Sequence, residues 1–324
     1  MRNFVIGVLL GIAVLAGACI YFSEPSIPRA TLEAKYALPP SKFMMLPDGA
    51  RAHYRDQGPR NAQVLLLIHG SNSSLLTWEP WVKRLSDSFR IVTVDMPGHG
   101  LTGVVPNEDY SQEGMVKFTK EFADKIGLSR FAIGGNSMGG AVAAQFAEEF
   151  PASVTNLILV DAGGMQTQQG DRVPLVFRLA RVPVLNRLMA HITPRSLVVE
   201  GLNDAIVHKE IINDKMIDWY WDFARMRGSR TATIERFNLP WTSYVRDHVG
   251  TIHMPTLILW GEEDHLIPVE SAHAYNKAIS GSKLIIYPDT GHLPQEEVAD
   301  RSATDVRVFL MPPQPMMQES SQIH

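Results

Sequence analysis

The feature that most constrains this chain is the stretch Phe131-Ala132-Ile133-Gly134-Gly135-Asn136-Ser137-Met138-Gly139-Gly140, a short apolar strand running into a Gly-x-Ser-x-Gly turn and straight out into a helix. Ser137 stands at the tip. Gly135 and Gly139 occupy the two positions where a side chain would collide with a neighbouring strand or helix, so the backbone can make a tight turn that presents Oγ. Ala141, Val142, Ala143, Ala144, Phe146 and Ala147 follow as a buried helix of mostly small residues. Its N-terminus lies beneath the serine, where free N–H groups and the helix dipole favour negative charge. The Met138 N–H is placed to bind an oxyanion formed on a carbonyl that Ser137 attacks. An N-cap serine is the plain alternative for Ser137, and the flanking strand and helix favour a nucleophile.

The segments around this turn read as a mostly parallel sheet interleaved with helices. Ser41 to Gly58 contains two strand-like runs about Pro47-Asp48-Gly49, an antiparallel hairpin. Val64 to Ile68 is a continuous aliphatic strand ending in His69-Gly70-Ser71-Asn72, and loops at the carboxyl ends of such strands are where ligands bind in open α/β sheets. Trp78 to Leu85 reads as a helix and Arg90 to Asp95 as a second buried strand. Met115, Phe118, Phe122 and Ile126 recur at helical spacing, opposite charged residues. Gly98-His99-Gly100-Leu101-Thr102-Gly103 matches the dinucleotide pattern G-x-G-x-x-G, but Pro97 precedes it and Pro106 follows closely, so no helix opens there to hold a pyrophosphate.

Asn156 to Val160 forms the next strand, ending at Asp161. From about 165 to 250 the strand signal disappears. Ile212, Met216, Trp219 and Phe223 share one helical face, and Val184, Leu185, Leu188 and Met189 suggest another helix. This is read as a helical cap inserted between two sheet strands, its apolar residues either packing internally or lining a pocket over Ser137. Strands resume at Thr256 to Trp260, before Gly261-Glu262-Glu263-Asp264, and at Leu284 to Tyr287, before Gly291-His292; a last helix covers about Gln295 to Leu310. Residues 41–310 are therefore one α/β domain, and 311–324 a disordered tail.

The formal charge of -4 supplies no basic surface for nucleic acid, which leaves a small molecule as the partner. Cys19 is the only cysteine, so there is no disulfide framework and no thiolate metal site, and no His-Glu-x-x-His pattern occurs among the 11 histidines. At the N-terminus, Arg2 precedes an uncharged run whose apolar part, Phe4 to Phe22, would span roughly 28 Å as a helix, about a bilayer core. Residues 1–22 are read as an uncleaved single-pass membrane anchor with the N-terminus inside and the catalytic domain outside the cytoplasm. A lipoprotein acceptor at Cys19 and a cleaved signal ending near Ala16-Gly17-Ala18 are the alternatives. Residues 23–40, with four prolines, are read as a linker.

His69-Gly70, the Asp95-Met96-Pro97-Gly98-His99-Gly100 turn, the Gly-Asn-Ser-Met-Gly-Gly elbow and the late acid and histidine loops together resemble the α/β-hydrolase superfamily over about residues 40–310. The elbow looks like that of the serine esterase and lipase branch, the bacterial family V enzymes. The resemblance implies an α/β-hydrolase fold with a mostly parallel central sheet, helices on both faces and a helical cap. It also implies a chain order of Ser137, Asp264 and His292 as nucleophile, acid and base. Gly261, Asp264 and Pro268 meet the family's acid-loop spacing, with Asp161 as the fallback acid, Glu262 and Glu263 as solvated neighbours, and His69 and His99 as loop-structuring. Ser71 N–H would join Met138 N–H in an oxyanion hole, and no metal or organic cofactor is needed. Thr102 departs from the serine of many relatives.

The serine elbow argues against dehalogenases and epoxide hydrolases, which carry an aspartate there. Hydrolases of C–C bonds in ring-fission products share this elbow, but usually carry Gly-Pro-Gly after His-Gly and Trp after the catalytic histidine; here these positions hold Ser71-Asn72-Ser73-Ser74 and Leu293. The resemblance therefore implies carboxylic ester cleavage through an acyl-enzyme. C–C hydrolysis is the first alternative, and a non-catalytic binding protein on the same fold is the second.

Overall fold

The computed structural model describes residues 24–165, 193–239 and 244–311. Eight strands form one sheet: β1 (Lys42–Met45), β2 (Arg51–Gln57), β3 (Val64–Ile68), β4 (Arg90–Val94), β5 (Phe131–Asn136), β6 (Val154–Val160), β7 (Thr256–Gly261) and β8 (Lys283–Tyr287), in the spatial order β1-β2-β4-β3-β5-β6-β7-β8. The hairpin β1–β2 and the β2–β4 pair are antiparallel, and every other pair is parallel. The hairpin turns at Gly49, with φ +85°, where the Asp48 carboxylate accepts the Ala50 N–H at 2.8 Å. A strand covered on both faces must be apolar at every position. In β3, Leu65 and Leu67 pack into one core layer while Leu66 and Ile68 pack into the other.

Eleven helices occur among the described residues: α1 (Arg29–Tyr36), α2 (Glu79–Leu85), α3 (Gln112–Lys125), α4 (Met138–Glu149), α5 (Arg195–Ala205), α6 (Asp214–Ala224), α7 (Ser229–Asn238), α8 (Tyr244–His248), α9 (Glu270–Ala278), α10 (Pro294–Glu297) and α11 (Ala299–Leu310). Met115, Phe118 and Phe122 of α3 and the small residues of α4 fill one layer against the sheet, with Tyr275 of α9. Trp81 and Leu85 of α2 and Val306 of α11 fill the other. The final helical segment is two helices, because Val298 leaves the helical region at φ -121°, ψ 45°.

Helices α5 to α8 lie between β6 and β7, and Met216, Trp219 and Phe223 of α6 form a third apolar cluster with Leu202, Met226 and Leu293. Leu32 of α1 is buried in that cluster. The segment read as a linker thus contains a helix that packs: Arg51 pairs with Glu33, and Lys35 and Tyr36 both reach Asp222 of α6 at 2.8 Å. Prolines flank this helix without interrupting it. The reading of a membrane-anchored chain is corrected here, for among the described residues no helix is long and apolar enough to cross a membrane. Residues 1–22, including Cys19, lie outside the described residues, as do Val184, Leu185, Leu188, Met189 and the tail beyond 311.

Candidate active site

The end of β5 enters α4 through a single residue, Ser137, with φ +55° and ψ -121°. A non-glycine residue at positive φ is strained and persists only where its surroundings hold it. Here Ser137 N–H donates to the Val160 carbonyl at 3.0 Å, and the Ser137 carbonyl accepts from Gly140, Ala141 and Gly163. The flanking glycines serve close approach. A Cβ on Gly135 would lie 2.0 Å from the Gly139 carbonyl oxygen, and one on Gly139 would lie 2.2 Å from that of Ile68. Gly70 faces the serine itself, since a Cβ there would stand 3.1 Å from Ser137 Cβ. The N–H groups of Met138 and Ser71 have no hydrogen-bond partner among the described residues, so both donors remain available beside the turn.

Asp264 and His292 meet across two loops at the carboxyl ends of β7 and β8. His292 Nδ1 lies 2.7 Å from Asp264 Oδ2, and both side chains are buried. The other oxygen, Oδ1, accepts from the N–H groups of Leu266 and Ile267 at 2.8 and 3.0 Å, which fixes the carboxylate as an acceptor toward the imidazole. Asp161, the fallback acid, has no hydrogen bond to His292. Its Oδ1 accepts from Gly261 N–H at 3.0 Å, and its Oδ2 is buried beside Asp264. Burial, reinforced by the charge of Asp264, pushes the Asp161 carboxyl well above the usual carboxylate range. Asp161, Asp264 and His292 offer ligand atoms within 4.8 Å of one another, a spacing that could hold a cation. However, the imidazole and the Asp264 carboxylate are spent on each other rather than aimed at a shared centre.

The loops beside Ser137 are fixed by two further histidines and a buried aspartate. Met96 N–H donates to His69 Nε2 at 3.0 Å, so the proton sits on Nδ1 and is donated to the Gly70 carbonyl at 2.7 Å. Burial lowers the His69 pKa and that of His99 further still, keeping both neutral. The glycine-rich loop that resembles a nucleotide fingerprint wraps a carboxylate of its own chain instead. Asp95 accepts from Leu75 N–H, Leu101 N–H and His53 Nδ1, and a Cβ on Gly100 would overlap its carboxylate. Thr102 Oγ1 accepts from His53 N–H at 2.9 Å, which accounts for a hydroxyl at this position.

Residues 63–299, which carry this serine turn and the Asp–His pair, match the family model described as the alpha/beta hydrolase fold. The chain belongs to the α/β-hydrolase family. It is 25% identical over 264 residues to a 2-hydroxy-6-oxononadienedioate/2-hydroxy-6-oxononatrienedioate hydrolase of Comamonas testosteroni, covering 77% of this chain and 87% of that one. It is 24% identical over 290 residues to Lipase 1 of Psychrobacter immobilis, covering 83% of each. Among solved structures, a membrane phospholipase A described as a bacterial virulence factor superposes with a TM-score of 0.71 at 23% identity, over 96% of this chain and 98% of that one. The α/β-hydrolase relatives thus include lipases and C–C bond hydrolases, and this chain is a hydrolase whose partner is a small-molecule substrate.

Two further residues hold the hydrolase site together, one inside the elbow motif but given no role by it, the other outside any motif. Asn136, buried at the end of β5, donates through Nδ2 to the Val160 carbonyl at 3.2 Å and the His292 carbonyl at 3.0 Å, tying the histidine loop to the strand that carries Ser137. Glu297 of α10 accepts from Gly291 N–H at 2.9 Å and, through its other oxygen, from Val207 and His208 N–H at 2.7 and 3.0 Å. His292 N–H itself donates to the Ala205 carbonyl at the end of α5, at 2.7 Å. The cap is thereby bonded to the histidine loop. A polar residue closing an apolar strand, as Asn136 does, is the sequence signal that could have marked one of these two; Glu297 carries none.

Proposed function

We propose that this α/β-hydrolase cleaves carboxylic esters with Ser137 as nucleophile, His292 as general base and acid, and Asp264 as the residue that orients the imidazole. The observation that carries the reading is the buried 2.7 Å contact between His292 Nδ1 and Asp264 Oδ2. It supports a tautomer with the proton on Nδ1, whose Nε2 is then free to take one from a serine hydroxyl. Ser137 Oγ attacks the ester carbonyl carbon as its proton passes to His292 Nε2. The carbonyl π electrons move to oxygen, and the N–H groups of Met138 and Ser71 stabilise the resulting oxyanion. When the intermediate collapses, the bond to the alkoxy oxygen breaks, and that oxygen takes the proton from His292. Water, deprotonated by the same nitrogen, then attacks the acyl-enzyme, and the released serine oxygen recovers the proton.

The choice of ester over carbon–carbon cleavage rests on Ser71-Asn72-Ser73-Ser74 and Leu293, which stand where ring-fission hydrolases usually carry Gly-Pro-Gly and Trp. The relative from Comamonas testosteroni supports the second reading, in which the same serine and histidine would act on a vinylogous diketone. The test is turnover of p-nitrophenyl acyl esters of increasing chain length by the full chain and by Ser137→Ala, beside a 2-hydroxy-6-oxo-dienoate. Ester turnover that depends on Ser137 and exceeds dienoate turnover is expected. Preference for the dienoate would move the assignment to carbon–carbon cleavage, and a folded protein inert toward both would move it to a non-catalytic role.

A further inference from the structure

One cation of the cap reaches the loop beside Ser137. Arg236, near the end of α7, places Nη2 3.4 Å from Asn72 Oδ1, and Thr233 Oγ1, one turn earlier, lies 3.4 Å from the same oxygen. Asn72 has φ +56°, in the left-handed region, so the loop turns as it presents its side chain to the cap. Two residues earlier in that loop, Gly70 lies against Ser137. The guanidinium therefore stands over a loop whose other end touches the nucleophile.

Among the described residues no carboxylate pairs with Arg236, whose guanidinium lies over the Phe237 ring at 4.3 Å. Its Nε is buried without a hydrogen-bond partner among those residues, and its hydrogen bond there is the long contact to a neutral amide oxygen. Of the carboxylates nearby, Glu235, adjacent on α7, lines a surface cleft with Glu108 and Tyr110, and Asp95 is taken by Leu75, Leu101 and His53. His69 and His99, which both feel the guanidinium, are driven toward neutrality by burial. Burial draws Arg236 down to about 10, which still leaves it charged at neutral pH. Two other buried groups on these loops have no partner among the described residues. His99 donates from Nδ1 to the Pro97 carbonyl at 2.8 Å, leaving Nε2 buried and unpartnered, and Ser71 Oγ is also buried without a partner. A half-buried guanidinium with no counter-ion among the described residues is left to find one, and a planar fork of N–H donors fits the paired oxygens of a carboxylate or phosphate.

We propose that Arg236 is a specificity residue that binds an anionic group of the substrate, a carboxylate or a phosphate ester, beside the carbonyl attacked by Ser137. The inference rests on the reading of Ser137 as the nucleophile and names the substrate class for that same site. Asn72 Oδ1 orients the guanidinium, and His99 Nε2 and Ser71 Oγ meet polar atoms adjoining the anion.

The test compares the full chain with Arg236→Met and Arg236→Lys on two matched pairs of esters. One pair is the p-nitrophenyl monoester of glutaric acid and p-nitrophenyl butyrate; the other is dihexanoyl phosphatidylglycerol and dihexanoylglycerol. Arg236→Met should lower the charged-to-neutral ratio of kcat/KM by about 10- to 100-fold in one pair, the range of a charge-assisted hydrogen bond. Most of that loss should appear in KM, and Arg236→Lys should retain part of the ratio. The pair that responds distinguishes a carboxylate from a phosphate. Ratios within twofold of the parent in both pairs, with turnover still dependent on Ser137, would overturn the anion site and leave the esterase reading standing. Should no ester be turned over, calorimetry on Ser137→Ala with glutarate and inorganic phosphate decides separately. Binding that Arg236→Met removes supports the site, whereas no binding, or binding indifferent to Arg236, overturns it.

Discussion

Asn136→Ala should destabilise the fold and disable the site together, because one buried amide connects both. Its Nδ2 group makes two hydrogen bonds, to the carbonyls of Val160 and His292. The Val160 carbonyl keeps a partner in Ser137 N–H, so its loss is that of an ordinary hydrogen bond, about 1 kcal/mol. The His292 carbonyl would be left buried without a donor, which costs about 1–3 kcal/mol. The sum is about 2–4 kcal/mol, a large part of a typical domain's stability but not all of it. Urea unfolding should show a lower midpoint with an unchanged slope. Turnover of p-nitrophenyl butyrate should fall by more than the unfolded fraction explains, since the His292 loop loses its tie to β5. Asn136→Leu keeps the volume while removing the donors, and should be destabilised by a similar amount. If Asn136→Leu unfolds within about 0.5 kcal/mol of the parent, the hydrogen bonds do not hold the loop and the reasoning fails.

Other substitutions probe the acid, the turn and a buried carboxyl. Asp264→Asn should lower kcat/KM by about 10³- to 10⁴-fold with little change in stability, by analogy with the handling of the imidazole tautomer in serine proteases. Asp161→Asn should cost far less, and steady-state rates that reverse this order would assign the acid role to Asp161. Gly139→Ala sets a methyl against the Ile68 and His69 carbonyls at 2.2 and 2.5 Å, where only backbone can yield, and should cost about 3 kcal/mol or more. Gly201→Ala, in α5 with nothing within 4 Å of the new methyl, should instead raise the urea midpoint by the equivalent of about 0.5–1 kcal/mol. Glu296 is pushed up to about 8 by burial. Its folded pKa exceeds its unfolded one, so its contribution is present below about 4.3 and is lost as pH rises through 8. The stability of Glu296→Gln relative to the parent should therefore increase across that window, and a pH-independent difference would show that Glu296 ionises normally.

The sheet was legible because its signal is local. Continuous aliphatic runs such as Val64–Ile68 suit a strand covered on both faces, and the turn at Ser137 needs glycines only where two backbones touch. Asp264 and His292 were equally visible, each lying in a short loop after a strand, though only the fold shows that they meet. Helix α1 was not legible. It has one buried side chain, Leu32, so its apolar periodicity is weak, and its attachment comes from pairings with Arg51 and Asp222 that are distant in the chain. The same reason hides Glu297, whose acceptors serve N–H groups about 90 residues away as well as one close by. The membrane-anchor reading rested on hydropathy in residues 1–22, and among the described residues no helix is suited to span a bilayer. In the cap, Met216, Trp219 and Phe223 share one helical face legible from their spacing, but the polar contact of Arg236 in α7 with Asn72 joins segments far apart in the chain, which periodicity does not reveal.

The central claim is that Ser137 is an activated nucleophile, and covalent labelling by a fluorophosphonate tests it most directly. Attack by Ser137 Oγ expels fluoride and leaves a phosphonylated serine that intact-protein and peptide mass spectrometry can locate. One adduct per chain is expected, on Ser137, absent in Ser137→Ala and formed at least about 100-fold more slowly in His292→Ala, the scale of a lost general base. A folded protein that turns over esters yet carries its adduct on another residue, or that labels equally fast without His292, would contradict it.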